Sequence, residues 1–404
     1  MPATTPGSTT PGPTQAGPTQ SGLLPVAPVE ELTADQLSRY SRHLLLPGIG
    51  LDGQKRLVNA RVAVVGAGGL GSPALLYLAA AGVGHLTVID DDRVDLTNLQ
   101  RQVIHRVEDL GNTKVDSALR AVRDLNPLVS VTGVREHLDE TNAMDILAGH
   151  HLVLDGSDNF DTRYVVNDAA VALGIPLVWA AVLRFDAQIT TFLPPSLVGE
   201  AAVQLRDLFP VPPRAEDVPS CAEAGVLGAM VGQVGSIMAG EAVKLITGTG
   251  EPLAGRVLLL DALTQRTREI PLRPLETTGD GHPGTTRGWM PEAGESRDVV
   301  AIPEMTPLQV HEHNDELQII DVREPGEHAL GTVPQARTVP VGEVLAWEDR
   351  AAVGEGPVVF YCKTGPRAGR AARHLVHLGH PDVRVMTGGI LGWIDEVDPS
   401  LPRY

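Results

Sequence analysis

Val62-Ala-Val-Val-Gly-Ala-Gly-Gly-Leu-Gly-Ser72 is the stretch whose reading decides the fold of this chain. Four apolar residues, three of them valine, read as a strand buried on both faces. Gly66, Gly68 and Gly71 follow at G-x-G-x-x-G spacing before a helical run. Gly66 suits the tight turn, Gly68 lets the backbone approach a phosphate, and Gly71 allows close packing of the helix that starts near Ser72-Pro73. The helix N-terminus, with its unpaired N–H groups, then faces the anion. By itself such a turn belongs as readily to a nicotinamide-dependent dehydrogenase. Asp90 closes the next strand, Leu86 to Asp90, about where a dehydrogenase places its ribose-binding carboxylate.

Working outward, the pattern alternates. A helix from 72 to about 81, the strand 86–90, a helix ending before Asn126-Pro127, and strands at 152–155 and 177–181 predict an α/β, Rossmann-like, doubly wound and mostly parallel sheet. Ligands of such sheets bind at the carboxyl ends of the strands. Upstream, Thr33 caps a helix running through Leu37, Tyr40 and Leu44 that carries Arg39 and Arg42. Residues 1–29 are Pro, Thr, Gly, Ser and Gln with few large apolar side chains, and read as a disordered tail. Residues 30–272 form the first domain and residues 273–300, rich in Gly, Pro, Thr and Glu, a linker. A second, smaller α/β pattern occupies 301–404, with a helix from Thr306, a strand at Leu317 to Val322 and another from Pro357 into Cys362.

Composition narrows the partners. Fifty acidic against 32 basic residues give a formal charge of -18, which argues against nucleic acid. Only Cys221 and Cys362 occur, so there is no disulfide framework or four-cysteine metal site, and a reducing cytoplasm fits. The N-terminal stretch has no charged region followed by an apolar core. The longest apolar run considered, Ala169 to Leu183, is broken by Gly174 and Pro176, so no membrane partner is expected.

The predicted strand ends gather a mixture that hydride transfer has little use for: Asp90, Asp92, Asp155 and Asp158, with Asn98-Leu-Gln-Arg101-Gln and Lys114 between the second and third strands. A carboxylate attacking the α-phosphate of ATP meets charge repulsion, so cations must neutralise the phosphates while a carboxylate holds magnesium. Arg42, Arg101 and Lys114 can supply the first part and Asp158 the second. Singly, each reads equally well as a surface charge or a helix cap; together, after a glycine turn, they point to nucleotidyl transfer.

On Arg39-Tyr-Ser-Arg42, the Gly66–Gly71 loop with Gly69 inside it, Asp90-Asp-Asp, Asn98-Leu-Gln-Arg101-Gln, Lys114, Asp155-Gly-Ser-Asp158-Asn and Cys221-Ala-Glu-Ala-Gly225, residues 37–272 resemble the MoeB and ThiF family of ubiquitin-activating-type adenylyltransferases. The resemblance implies that Asp90 binds the ATP ribose, Arg101 and Lys114 the phosphates, and Asp158 magnesium as the catalytic carboxylate. It implies that Arg42 reaches into the site of a partner subunit, hence a homodimer, and that the substrate is a ubiquitin-like sulfur carrier ending in Gly-Gly. Many members hold a zinc in two CxxC pairs. Here Gln204-Leu-Arg-Asp207 stands at the first and the second is absent, so no zinc is expected. Cys221 matches the family's loop cysteine, whose role differs among members; its plain alternative is a small buried residue.

Cys362-Lys363-Thr364-Gly365-Pro366-Arg367 follows the second domain's buried strand and precedes a helix, Ala368 to Leu378. Backbone N–H groups at a helix N-terminus, with Lys363 and Arg367 alongside, favour a reactive thiolate. Four residues separate Cys362 from Arg367, one fewer than in C-x-x-x-x-x-R phosphatases, and the smaller loop suits the terminal sulfur of a persulfide. With Asp321-Val-Arg-Glu324, Glu327-His328 and Thr387-Gly-Gly-Ile-Leu-Gly-Trp393 in order, residues 300–404 resemble a rhodanese domain, in which Asp321 and Arg323 are expected to be structural.

The fusion resembles the MoeZ and MOCS-type sulfurtransferases. The implied chemistry is adenylylation of the carrier's terminal carboxylate, then attack by a Cys362 persulfide, loaded by a cysteine desulfurase or thiosulfate, to yield a thiocarboxylate for molybdopterin, thiamin, cysteine or tRNA thiolation. Cys221 can resolve the acyl disulfide by thiol exchange. Three rivals stand beside this: an activating enzyme forming a Cys221 thioester, a dehydrogenase, and a scaffold that binds a carrier without turnover.

Overall fold

The computed structural model describes residues 24–210, 225–275 and 302–404. They fall into two compact units, the first made of the residues up to 210 with those of 226–275, the second including 302–404. Cys221, most of the expected linker and residues 1–23 of the expected tail lie outside the described residues.

In the first unit α1 (Ala34–Arg39), α2 (Ser41–Leu44) and α3 (Gly50–Asn59) precede β1 (Arg61–Val65), α4 (Gly71–Ala81), β2 (His85–Ile89), α5 (Lys114–Leu125), β3 (Ser130–Val134), α6 (Ala143–Leu147), β4 (Leu152–Asp155), α7 (Phe160–Leu173), β5 (Leu177–Leu183) and β6 (Asp186–Phe192). Short helices α8 (Pro195–Val198) and α9 (Leu205–Leu208), the long α10 (Gly228–Thr247), and β7 (Arg256–Asp261) and β8 (Arg266–Pro271) complete it. The sheet order is β3-β2-β1-β4-β5-β6-β7-β8, parallel from β3 to β5 and antiparallel from β5 onward.

Period-two alternation with both faces covered explains why β1 is apolar from Val62 to Val65. Val62 and Val64 face a core of α3, α4, α5 and α10, whereas Ala63 and Val65 face a second core with α6 and α7. Strand order reverses between β1 and β4, which opens a crevice at their carboxyl ends. A methyl group built on Gly71 would overlap the Gly66 carbonyl. Gly71→Ala is therefore expected to cost stability at the upper end of roughly 1–3 kcal/mol, read by thermal unfolding.

Four expectations need correcting. The helix drawn from Thr33 through Leu44 is two helices: Thr33 does cap α1 in a reciprocal capping box, but the backbone breaks at Tyr40, whose side chain is buried and whose hydroxyl accepts from Asn126 Nδ2 at 2.9 Å. The tail ends earlier than residue 29. Leu24 and Val26 are buried in the core, and backbone carbonyls of Val26 and Ala27 accept from Arg56 and Asn59 of α3. At the other boundary, residue 275 is still tied to the first unit, its N–H donating to Asp207 Oδ1 at 2.9 Å. Among the described residues the longest apolar helix is α10, not the 169–183 run, and on length and composition alone it could cross a bilayer. Its apolar side chains instead pack on α4 and the sheet, and it carries the buried Glu241.

The second unit holds β9 (Glu304–Met305), α11 (Pro307–Glu312), β10 (Gln318–Asp321), α12 (Pro325–His328), β11 (Arg337–Thr338), α13 (Val341–Val344), β12 (Val358–Tyr361), α14 (Pro366–His377), β13 (Val383–Met386) and α15 (Gly389–Glu396). Its sheet, β11-β10-β12-β13-β9, is parallel throughout. The central strand β12 again buries both faces, Val358 and Phe360 in one core, Val359 and Tyr361 in the other. It delivers Cys362 directly to the sheet's carboxyl edge.

Candidate functional sites

The first site surrounds the β1–α4 turn. Gly66 has φ +86°, and a Cβ there would sit 2.9 Å from the Gly156 carbonyl, so the glycine turn and the Asp155-Gly-Ser-Asp158 turn lie side by side. A Cβ on Gly69 would strike Val231 of α10 at 2.6 Å. Gly68 differs: the nearest atom to a Cβ there is Gln102 Nε2, 3.7 Å away, which leaves the open side a phosphate needs.

Asp90 stands one residue beyond β2 and ties itself to that turn, Oδ2 accepting from the Ala67 N–H at 2.8 Å and Oδ1 from the Asp92 N–H at 2.9 Å. Burial raises its carboxyl above the ordinary range, against the pull of the nearby Lys114 ammonium. Lys114, at the start of α5, is buried and donates through Nζ to Asp92 Oδ2 at 2.6 Å. Arg101 runs beside Gly69 and donates to the Thr97 carbonyl at 3.0 Å, while Asn98 accepts from the Asp95 N–H at 3.0 Å. The structure thus brings Gly66, Gly68, Gly69, Gly71, Asp90, Arg101 and Lys114 around one crevice.

The two carboxylates after β4 part company. Asp155 is fully buried, accepts from the Ser157 N–H at 2.9 Å, and is pushed up by burial. Asp158 is exposed on the loop. Of the pair, only Asp158 can meet an ion arriving from solvent. Among the described residues no three His, Cys, Asp or Glu side chains converge on a metal-sized space. Asp158 is thus the carboxylate of the pair that could hold a magnesium ion, which tolerates sparse protein ligation.

Arg42 does not join this cluster. It is exposed on α2, whose neighbour His43 meets Gln54 Oε1 at 3.0 Å, and Gln54 donates to the Ala81 carbonyl at the far end of α4 from the glycine turn. Eleven helical residues put that end roughly 16 Å from the turn.

Sequence reasoning gave no role to two residues. Gln102 is buried beside Gly68 with its amide oxygen unpartnered in the described structure; it sits inside a quoted motif, which was the available signal. His105 carries no motif signal at all. Its Nε2 lies 3.0 Å from the Ala67 carbonyl, which can only accept, so that nitrogen holds the ring proton. Its Nδ1 lies 2.8 Å from the Ser117 hydroxyl, itself 2.8 Å from the buried Asp109 paired with Arg120. Burial lowers His105 from 6.5 to about 4. Between those values the unfolded chain binds a proton that the folded chain does not, so stability falls as pH drops through the window. The loss is expected to reach roughly 2 kcal/mol, discounting for partial screening. Urea midpoints at pH 7 and pH 5 measure it, and His105→Gln should flatten the acid limb.

The second site is the loop after β12. Cys362 is fully buried, and the Gly365 N–H points at Sγ from 3.1 Å. The Thr387–Trp393 motif braces the loop from behind: Ile390 and Leu391 N–H groups donate to the Cys362 and Lys363 carbonyls at 2.8 and 3.2 Å. Gly388 and Gly389 have φ +68° and +57°, and a methyl on Gly389 would overlap the Cys362 carbonyl. Thr364 and Pro366 are exposed on the loop.

The two cations expected beside the sulfur each have a partner elsewhere. Arg367 is buried in a two-pronged ion pair with Glu327, at 2.6 and 2.8 Å, which offsets its charge. Lys363 Nζ stands over the Tyr404 ring, 5.0 Å from its centre. The contact to Sγ itself comes from the N–H of Gly365, the N-cap of α14. Asp321 and Arg323 are structural as expected, fully buried and joined through Nε and Nη2, with the Tyr361 hydroxyl donating to Asp321 Oδ2 at 2.8 Å.

Residues 40–279 match the model of the ThiF family and residues 306–396 that of the rhodanese-like domain. The chain is 42% identical over 389 residues to a probable adenylyltransferase/sulfurtransferase MoeZ of Mycobacterium tuberculosis, covering 94% of this chain and 98% of that one. It is 51% identical over 241 residues to a sulfur carrier protein adenylyltransferase of Thermus thermophilus, covering 60% of this chain and 89% of the relative. The crystal structure of E. coli MccB shares the first unit's fold, with a TM-score of 0.52 at 20% identity over 63% of this chain and 78% of that one.

Proposed function

From a chain that belongs to the ThiF family and carries a rhodanese-like domain, we propose the following division of labour between its two sites. The protein is an adenylyltransferase and a sulfurtransferase. Its first unit activates, with ATP, the C-terminal Gly-Gly carboxylate of a ubiquitin-like sulfur carrier. The glycine turn receives the phosphates on the open side of Gly68, Asp90 takes the ribose, and Arg101 and Lys114 offset phosphate charge as the carrier carboxylate attacks and pyrophosphate leaves. Magnesium, held by Asp158, would supply further charge compensation there.

Cys362, carrying a sulfane sulfur from a cysteine desulfurase or from thiosulfate, then attacks the acyl carbon and AMP departs with the bonding pair. The acyl disulfide so formed is opened by a thiol: Cys221 attacks Cys362 Sγ, the thiocarboxylate leaves, and an external dithiol reduces the Cys221–Cys362 bond. Cys221 thus acts as a resolving thiol, and a rhodanese unit in the same chain disfavours the reading in which it forms a carrier thioester. Arg42, at the far end of α4 from its own glycine turn, serves the site of a second copy in a homodimer. The enzyme works in a reducing cytoplasm, and the thiocarboxylate feeds cofactor, cysteine or tRNA thiolation.

The observation that carries this reading is the presence in one chain of Asp90, Lys114 and the exposed Asp158 about a glycine turn and of a buried cysteine addressed by the Gly365 N–H. Intact-mass analysis of a Gly-Gly-ending carrier incubated with the protein, Mg-ATP, thiosulfate and a dithiol tests it. Replacement of one carrier oxygen by sulfur supports it; unmodified carrier with no pyrophosphate exchange on any carrier would sink it.

A further inference from the structure

We propose that Tyr404 is a positioning residue of the Cys362 loop, one side chain governing both of the loop's cations; this rests on the persulfide reading of Cys362. Lys363 and Arg367 belong to the loop itself, yet neither is held by loop atoms alone. The Tyr404 hydroxyl accepts from Arg323 Nη1 and donates to Glu327 Oε1 at 3.3 Å. Glu327 in turn clamps Arg367 with both oxygens and takes the Glu324 N–H at 2.9 Å. The ring carries Lys363 Nζ on its face at 5.0 Å and lies 5.8 Å from the Arg323 guanidinium carbon.

Tyr404 therefore links two ion pairs, the fully buried Asp321–Arg323 and the partly buried Glu327–Arg367. The first is anchored without help from the loop, since Arg323 also donates to the Gly331 carbonyl at 2.7 Å. The second is held at Glu327, whose side chain takes the Glu324 N–H and whose carbonyl accepts from Arg323 Nη1 at 3.4 Å. The phenol joins the two side-chain pairs alongside that backbone bond, and so bears on the wall of the loop. The ring acts separately, through a cation–π contact that orders Lys363 on a half-buried surface. An ordered ammonium favours an anionic sulfane donor.

The two effects divide between two parts of one side chain, the hydroxyl for Arg367 and the ring for Lys363. Phenylalanine removes only the first; leucine removes both. The assay is thiosulfate-to-cyanide transfer. The Cys362 thiolate attacks the sulfane sulfur of thiosulfate, a new S–S bond forms, and sulfite leaves with the electrons of the old one. Cyanide then takes the terminal sulfur as thiocyanate, and the thiolate returns.

In the full-length protein, Tyr404→Phe is expected to lower kcat about tenfold with KM for thiosulfate unchanged. Tyr404→Leu should add a rise in KM of about fivefold. ATP–pyrophosphate exchange should be unchanged in both. Wild-type kcat and KM in both variants, or identical KM in the two with kcat falling only as far as melting temperature falls, would overturn the proposal and leave Tyr404 a packing residue. A wild type no more active than Cys362→Ala would overturn the persulfide reading itself.

Discussion

Cys362→Ala abolishes sulfur transfer to the carrier, by a factor on the order of 10³ or more, while ATP–pyrophosphate exchange stays at the wild-type rate. Two observations set this expectation. The sulfur is the atom the loop is built around, with the Gly365 N–H on it and the Thr387–Trp393 segment bracing the carbonyl of the same residue. The adenylating crevice, in turn, draws all its groups from the first unit. The substitution removes one buried sulfur from a well-packed site and is expected to cost only about 1 kcal/mol, so lost activity cannot be charged to unfolding. The carrier should then accumulate as its acyl-adenylate, visible by mass and released by hydroxylamine. Appreciable thiocarboxylate from the variant would transfer the nucleophile's role elsewhere.

Asp158→Asn is the complementary result. Exchange of pyrophosphate into ATP should fall about 100-fold or more, with the magnesium concentration for half-maximal rate shifted upward, and thiosulfate-to-cyanide transfer at Cys362 untouched. The preference for Asp158 over its neighbour follows from exposure. Asp155 is fully enclosed and pushed toward its neutral form by burial, so Asp155→Asn should leave the magnesium dependence where the wild type has it. Asp158 faces solvent from the loop beside Gly66. If Asp155→Asn, rather than Asp158→Asn, moved the magnesium curve, the assignment would be reversed.

Much of the fold was legible because its signals are local. The glycine spacing, the valine-rich strand and the Thr33 cap each reflect interactions within a few residues, and each appears where expected. The antiparallel half of the first sheet was not legible. The β5–β6 turn is built on Arg184 at φ +55° rather than on glycine, and β8 is an exposed edge strand whose Arg-Thr-Arg-Glu-Ile-Pro carries no buried face. Strand β3, Ser-Val-Thr-Gly-Val, is short and half-polar for the same reason: it closes the sheet's other edge.

By itself, then, the sequence determined the two α/β units, the nucleotide turn and the cysteine loop, because turn geometry, strand burial and helix N-termini depend on neighbours in the chain. Only the tertiary structure decided which charges are available. Asp155 and Asp158 look alike in sequence and differ entirely in burial. Arg367 reads as a cation beside sulfur until Glu327, forty residues earlier, is seen to pair with it. Arg42 reads as a ligand of its own chain's phosphates until α2 is placed at the far end of α4 from the glycine turn. Charge–charge interactions act through space and vary with the dielectric around each group, and neither distance nor burial between remote residues is written in their order along the chain.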